Sequence, residues 1–154
     1  MESRRYRGYQ RCSRIDYADG NNTFAVTICV KPRRSAFTAP DANTEMIAEM
    51  VRIQNEGLWG VYLYCIMLDH IHLVANAGRL GLSKAVMRFK GRVATWWRRN
   101  GDGQPLWQSG YFDHRIRHAE GFRDKCSYIL QNPVRAGLVV QAEDYAWSGS
   151  LTQR

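Results

Sequence analysis

Two β-forming runs stand almost back to back in the middle of the chain, and a segment of helical period flanks them on each side. The runs extend from about Trp59 to Met67 and from about Ile71 to Asn76. A short turn at Leu68-Asp69, or within a residue or two of it, joins them. Upstream, Pro40-Asp41 opens a helix with an apolar side of Met46, Ile47, Met50, Val51 and Ile53, and Gly57 is placed to end it. Downstream, Leu82, Ala85, Val86, Phe89, Val93, Trp96 and Trp97 recur at helical spacing between Leu82 and Arg99. Asn100-Gly101-Asp102-Gly103 closes that second helix.

The outer segments complete the pattern. Thr23–Val30 is rich in β-formers, reads as a strand and stops at Lys31-Pro32. A short strand is expected near Phe112–Arg117. A last helix, about Glu120–Gln131, ends near Asn132 because Pro133 disfavours helical backbone in the residue before it. The order is β-α-β-β-α-β-α. Its first six elements match the ferredoxin-like split βαβ arrangement. The expectation is an α+β fold: an antiparallel sheet with helices on one face, plus a C-terminal helix. A length of 154 residues suits one domain, divided here into a basic arm, 1–14, and a folded unit, 15–150. The fold alone implies no activity.

Charge narrows the partners. The formal net charge is +8, which favours a polyanion such as nucleic acid or an anionic membrane surface. No apolar run approaches the roughly 20 residues that span a bilayer, and the charged start, MESRRYRGYQRCSR, lacks a signal-peptide segment. A cytoplasmic protein with no membrane partner is expected. The four cysteines are scattered without a C-x-x-C pair, which argues against a zinc knuckle. Cys29, Cys65 and Cys126 lie in apolar runs and read as buried thiols.

The densest chemical signal is Asp69-His70-Ile71-His72-Leu73-Val74. Residues i and i+2 of a strand share a face, so His70 and His72 point together. Such a pair either binds one divalent metal or is two ordinary sheet histidines. A histidine-triad hydrolase would place another His at position 74, which is Val. A cupin would need further Glu and His ligands that are not evident, and a three-histidine zinc site would have to recruit His114 or His118. A second signal lies in the last helix. Phe122, Cys126, Ile129 and Leu130 form its apolar stripe, Tyr128 falls off it, and Asn132 follows Tyr128 by one turn on the same side. With Lys125 nearby, Tyr128 is either a nucleophile candidate or an amphipathic surface tyrosine.

Taken together, D-H-I-H-L-V and S-Y-I-L-Q-N-P-V-R-A-G-L-V resemble the single-tyrosine HUH transposases, named for His, hydrophobic residue, His. The segment Leu106–Arg117, L-W-Q-S-G-Y-F-D-H-R-I-R, with F-K-G at Phe89–Gly91, resembles more narrowly the REP-associated tyrosine transposases. The resemblance covers roughly residues 15–148. It implies that His70 and His72 are metal ligands, that Asn132 is the third, and that Tyr128 attacks a DNA phosphate. It also implies Mg²⁺ or Mn²⁺ as the cofactor, a 5′-phosphotyrosine intermediate, and single-stranded or hairpin DNA as the partner. Relatives include monomers and homodimers, so either state is open. The family commonly has Pro before the D-H pair, and this chain has Leu68, which alters the turn and removes no ligand.

For DNA contact, the second helix offers Lys84, Arg88, Lys90 and Arg92, and the arm offers Arg4, Arg5, Arg7 and Arg11 beside Tyr6 and Tyr9. His114 either orients DNA or makes a structural hydrogen bond. Trp59, Tyr62, Trp107, Tyr111 and Phe112 are available to stack on unpaired bases or to fill the core. Two other functions compete. One is a non-catalytic nucleic-acid binder on the same scaffold, for which the R-G-F-G-F type signature is missing. The other is a metallohydrolase that uses an activated water in place of a tyrosine.

Overall fold

The computed structural model describes residues 22–151, so the basic arm with Arg4, Arg5 and Arg7 lies outside the described residues. Strand β1 is Thr23–Cys29, helix α1 Pro40–Asn55, β2 Trp59–Ile66, β3 His70–Ala77, α2 Leu82–Asn100, β4 Phe112–Arg115 and α3 Ala119–Leu130. A short helix α4, Asn132–Arg135, a 3₁₀ turn and a two-residue strand β5, Ser148–Gly149, follow. The sheet order is β4-β1-β3-β2-β5, and all neighbours are antiparallel. The first four strands thus have the arrangement expected of a ferredoxin-like sheet. Strand β5 adds a fifth at the β2 edge.

The local sequence explains the boundaries. Pro40 begins α1, where a missing N–H is no loss. Gly57, at φ +73°, takes the left-handed position just past the helix end. Leu82, Ala85, Val86, Phe89, Val93 and Trp97 of α2 are buried, with Trp96 packed at the margin.

Two apolar layers sandwich the sheet: α1 and α2 cover one face, as the split βαβ order predicts, and the added C-terminal helix covers the other. The larger layer packs α1 and α2 against Val26, Ile28, Ile71, Leu73 and Ala75. The smaller packs Phe122, Cys126, Ile129 and Leu130 of α3 against Leu63, Cys65, Met67 and Val74. A register shift between Val61 and Leu63 lets β2 serve both layers. Tyr62 and Leu63 both join the α3 layer, while Val61 and Tyr64 join the other. Cys29, Cys65 and Cys126 are buried free thiols, as their apolar surroundings suggest.

Proline at position 133 breaks the last helix without ending the helical path. Helix α3 stops at Leu130, Gln131 keeps right-handed helical angles, and α4 resumes with Pro133 in its first turn. The Arg135 and Ala136 N–H groups donate to Gln131 and Asn132. The chain therefore turns one step further along the α3 face than a terminated helix would.

Candidate active site

The residues His70, His72 and Val74 alternate along β3 with Ile71, Leu73 and Ala75, which belong to the α1–α2 core. The histidines accordingly lie on the α3 side. Their Nε2 atoms stand 3.1 Å apart, with the rings nearly perpendicular. Each Nδ1 has its own partner. His70 Nδ1 is 2.6 Å from Asp69 Oδ1, and His72 Nδ1 is 3.1 Å from Thr27 Oγ1, on the neighbouring strand at the paired register position. Arg33, from the loop after β1, donates to the other Asp69 oxygen at 2.9 Å. Burial raises the Asp69 pKa, but hydrogen bonds from His70 and Arg33 outweigh it and hold the group below the ordinary carboxylate value. With its ring proton on Nδ1, given to this carboxylate, His70 would present the Nε2 lone pair to an ion.

These two side chains fit a divalent cation. Two neutral imidazoles bound cis to one ion, with metal–nitrogen bonds of about 2.1 Å, would hold their nitrogens about 3 Å apart. A histidine ligand ordinarily donates its other ring N–H to a carboxylate or similar oxygen, and Asp69 and Thr27 supply such oxygens. His72 also stays neutral. Burial pushes it down to about 4, and His70, Lys125, Arg135 and Arg33 push the same way. Among the described residues, no three His, Cys, Asp or Glu side chains gather into a metal site, so a third ligand has to come from another chemical class. His118 is occupied as the cap of α3, accepting from Gly121 N–H at 3.1 Å.

Tyr128 projects from α3 and is 58% exposed. Its hydroxyl makes no hydrogen bond among the described residues. Arg135 grips the residue's other parts: its guanidinium carbon lies 4.0 Å from the ring centroid, and it donates to the Tyr128 carbonyl at 2.7 Å. The same nitrogen donates to Asn132 Oδ1 at 2.6 Å. That contact fixes which amide atom is oxygen and leaves it a second lone pair, while Asn132 Nδ2 is buried without a partner. Lys125 Nζ lies 5.8 Å from the Tyr128 centroid. Arg135 is not among the residues singled out from sequence. The signal was its i+3 spacing from Asn132, across a proline that starts a helical turn.

The sequence-proposed DNA contacts fall in different places. Helix α2 lies on the sheet face away from the histidines. There Arg88 pairs with Glu56, Arg92 pairs with Glu56 and Glu49, and Lys90 donates to the carbonyls of Gln108 and Gly110. Lys84 is exposed on the same helix. His114 is on the histidines' side. It is exposed on β4, and its register partner Ala25 is in turn opposite Val74. The structure thus gathers Lys125, Arg135 and Arg33 around His72 and turns the α2 cations away from it.

A ferredoxin-like sheet with a paired-histidine face and a tyrosine helix laid over that face defines the architecture. Residues 21–132 match the model of the family "Transposase IS200 like", and the chain belongs to that family. His70, His72, Tyr128 and Asn132 all fall inside the matched segment, whereas Arg135 lies beyond it. A REP-associated tyrosine transposase, solved bound to a REP hairpin, has a similar fold, with a TM-score of 0.71 and 21% identity over 82% of this chain and 75% of that one. A protein from Deinococcus radiodurans R1 assigned as a transposase gives 0.53, with 16% identity over 71% of this chain and 88% of the other. A Haemophilus influenzae protein of no assigned function is 34% identical over 53 residues. That match covers 34% of this chain and 29% of the relative's length. No helix among the described residues is long and apolar enough to cross a membrane.

Proposed function

We propose that this chain is a divalent-cation-dependent enzyme that nicks and rejoins single-stranded DNA beside a hairpin, using Tyr128 as the nucleophile. The observation that carries the reading is the pair of Nε2 atoms 3.1 Å apart, with each Nδ1 anchored from behind. They share a sheet face with the tyrosine helix. The hairpin extends to this chain what the similar REP-associated transposase binds. The cytoplasm is the proposed place of action.

His70, His72 and the Asn132 amide oxygen would hold Mg²⁺ or Mn²⁺, with Mn²⁺ better suited to imidazole. A bound ion of this kind supplies Lewis-acid relief of charge on the phosphate oxygens. Asp69 and Thr27 keep the imidazoles turned inward. Arg135 holds the Tyr128 ring and the Asn132 amide as one unit, so the nucleophile and the third ligand keep a fixed relation. Lys125, Arg135 and Arg33 surround the site with positive charge suited to phosphate. The Tyr128 Oη–phosphorus bond forms as the phosphorus–O3′ bond breaks. The phenolic proton passes to water, and the leaving 3′-oxygen ends protonated as a free hydroxyl. The 5′-phosphotyrosine retains the energy of the broken bond, so rejoining by the reverse attack needs no nucleotide cofactor.

The test is a denaturing gel after incubation with hairpin-containing single-stranded DNA and Mn²⁺. A covalent protein–DNA band is expected from the native chain and not from Tyr128→Phe or His70→Ala. Cleavage that persists in Tyr128→Phe without an adduct would indicate water as the nucleophile. Salt-sensitive binding without cleavage would indicate a pure binding protein.

A further inference from the structure

The sheet sorts the five aromatic residues that the sequence offers for base stacking. Trp59 is buried and donates to Met50 O, and Trp107 packs in the core and donates to Lys90 O. Tyr62 meets Phe122 edge-on at 5.4 Å, and Tyr111 is held by Ser83 through its hydroxyl. Phe112 alone presents its ring to solvent, at 67% exposure. Its register is specific as well. Cys65 pairs with His72, His72 with Thr27, and Thr27 with Phe112, across four adjacent strands.

Side chains at paired positions of antiparallel strands share a face. Thr27 contacts His72 directly, so Phe112 is on the histidines' face, two strands out. At roughly 4.8 Å per strand this places it about 10 Å from His72 along the sheet. His114, two residues on, shares that face. The exposed ring thus continues the row that begins at the paired histidines, and the cations of Arg33, Lys125 and Arg135 lie around its inner end.

From this row we infer that Phe112 is a stacking platform for an unpaired base close to the phosphate held at His70 and His72. The inference rests on the single-stranded DNA reading above and adds a substrate contact to it. A flat apolar ring suits a nucleobase of any identity, and the cations at the inner end of the row suit the phosphate on that side.

The experiment uses the full chain and a fluorescein-labelled hairpin oligonucleotide with a thymidine flank. The hairpin fixes the register, and flank thymidines are replaced one at a time by an abasic nucleotide. Affinity is read by fluorescence anisotropy, with adduct formation read in parallel. For the native chain and Phe112→Trp, an abasic nucleotide at one flank position should weaken binding about 5- to 150-fold. In Phe112→Ala that sensitivity should vanish, while the melting curve stays that of the native chain. The same abasic profile in Phe112→Ala would overturn the inference, and continued adduct formation would leave the tyrosine reading standing. A change in sedimentation coefficient in Phe112→Ala with an unaltered abasic profile would assign the ring to a second copy of the chain and also overturn it. No binding and no adduct with the native chain would defeat the tyrosine reading and this one together.

Discussion

Thr27→Val isolates the metal reading from everything else in the site. Valine keeps the β-branched shape that suits β1 and removes only the hydroxyl 3.1 Å from His72 Nδ1. That hydroxyl can serve in two ways. Without an ion, the Thr27 hydroxyl can donate to His72 Nδ1 while His72 Nε2–H donates to His70 Nε2 at 3.1 Å. With an ion, both Nε2 atoms must be bare, so the His72 proton must move to Nδ1 and Thr27 must accept it. Removing the oxygen leaves that N–H facing a methyl group. Loss of a ligand's outer hydrogen bond ordinarily weakens metal binding about 10- to 100-fold, or about 1.4–2.7 kcal/mol. Isothermal titration with Mn²⁺ should show that loss in Thr27→Val, and no Mn²⁺ binding in the His70→Ala, His72→Ala double variant. Equal Mn²⁺ affinity in Thr27→Val and the native chain would refute the proposed orientation of His72. Retained binding in the double variant would refute the histidine site itself.

Further outcomes follow from the same contacts. Arg135→Ala should slow adduct formation while leaving Mn²⁺ affinity within about tenfold, and Arg135→Lys should recover only part of the rate, since lysine lacks the planar fork that stacks and donates together. Single-turnover rates measured beside calorimetry check this. Lowering pH from about 6.5 to 4 should destabilise the metal-free chain. The unfolded His72 binds a proton near its ordinary value, the folded one only near 4, and stability present above pH 6.5 is lost on the way down. The full effect is on the order of 3 kcal/mol, read by urea titration at stepped pH, and His72→Gln should flatten the curve. Arg88→Ala and Arg92→Ala should leave the salt dependence of DNA binding unchanged, because both guanidiniums face Glu56 across α1 and α2. A shallower salt slope in either variant would place DNA on the α2 side.

The strand and helix order, the shared direction of His70 and His72 and the buried stripe of α2 are all legible because each depends on spacing within one element. Relations between elements are less visible. Position of α3 on the second sheet face was signalled only by β2, where Val61–Leu68 is apolar or aromatic throughout with no polar alternation. A strand covered on one side would alternate. The bulge at Tyr62 depends on the partner strand's register and leaves no mark in composition. Strand β5 is two residues long and is held by pairing with Tyr64 and Cys65, too short for any pattern. The Asn132–Arg135 contact was hidden by reading Pro133 as a terminator, although the same proline is well suited to a first helical turn.

Charge shows most clearly why a face has to be known before a function is assigned to it. Helix α2 is the most basic segment of the described chain, and basicity alone would nominate it as the DNA surface. Its Arg88 and Arg92 instead find Glu49 on α1 and Glu56 at its C-terminal cap, residues that lie 32 or more positions upstream and meet them only after the two helices pack side by side on one layer. The cations around the histidines come one each from the loop after β1, from α3 and from α4, three segments far apart in the sequence. A phosphate is better served by the second arrangement. Arg88 and Arg92 would have to give up carboxylate partners to reach it, while Lys125 and Arg135 are bound only to an aromatic ring, a carbonyl and an amide. On the histidine face the positive charge open to a phosphate is therefore that of Lys125 and Arg135, which have no carboxylate partner among the described residues, while Arg33 is already paired with Asp69.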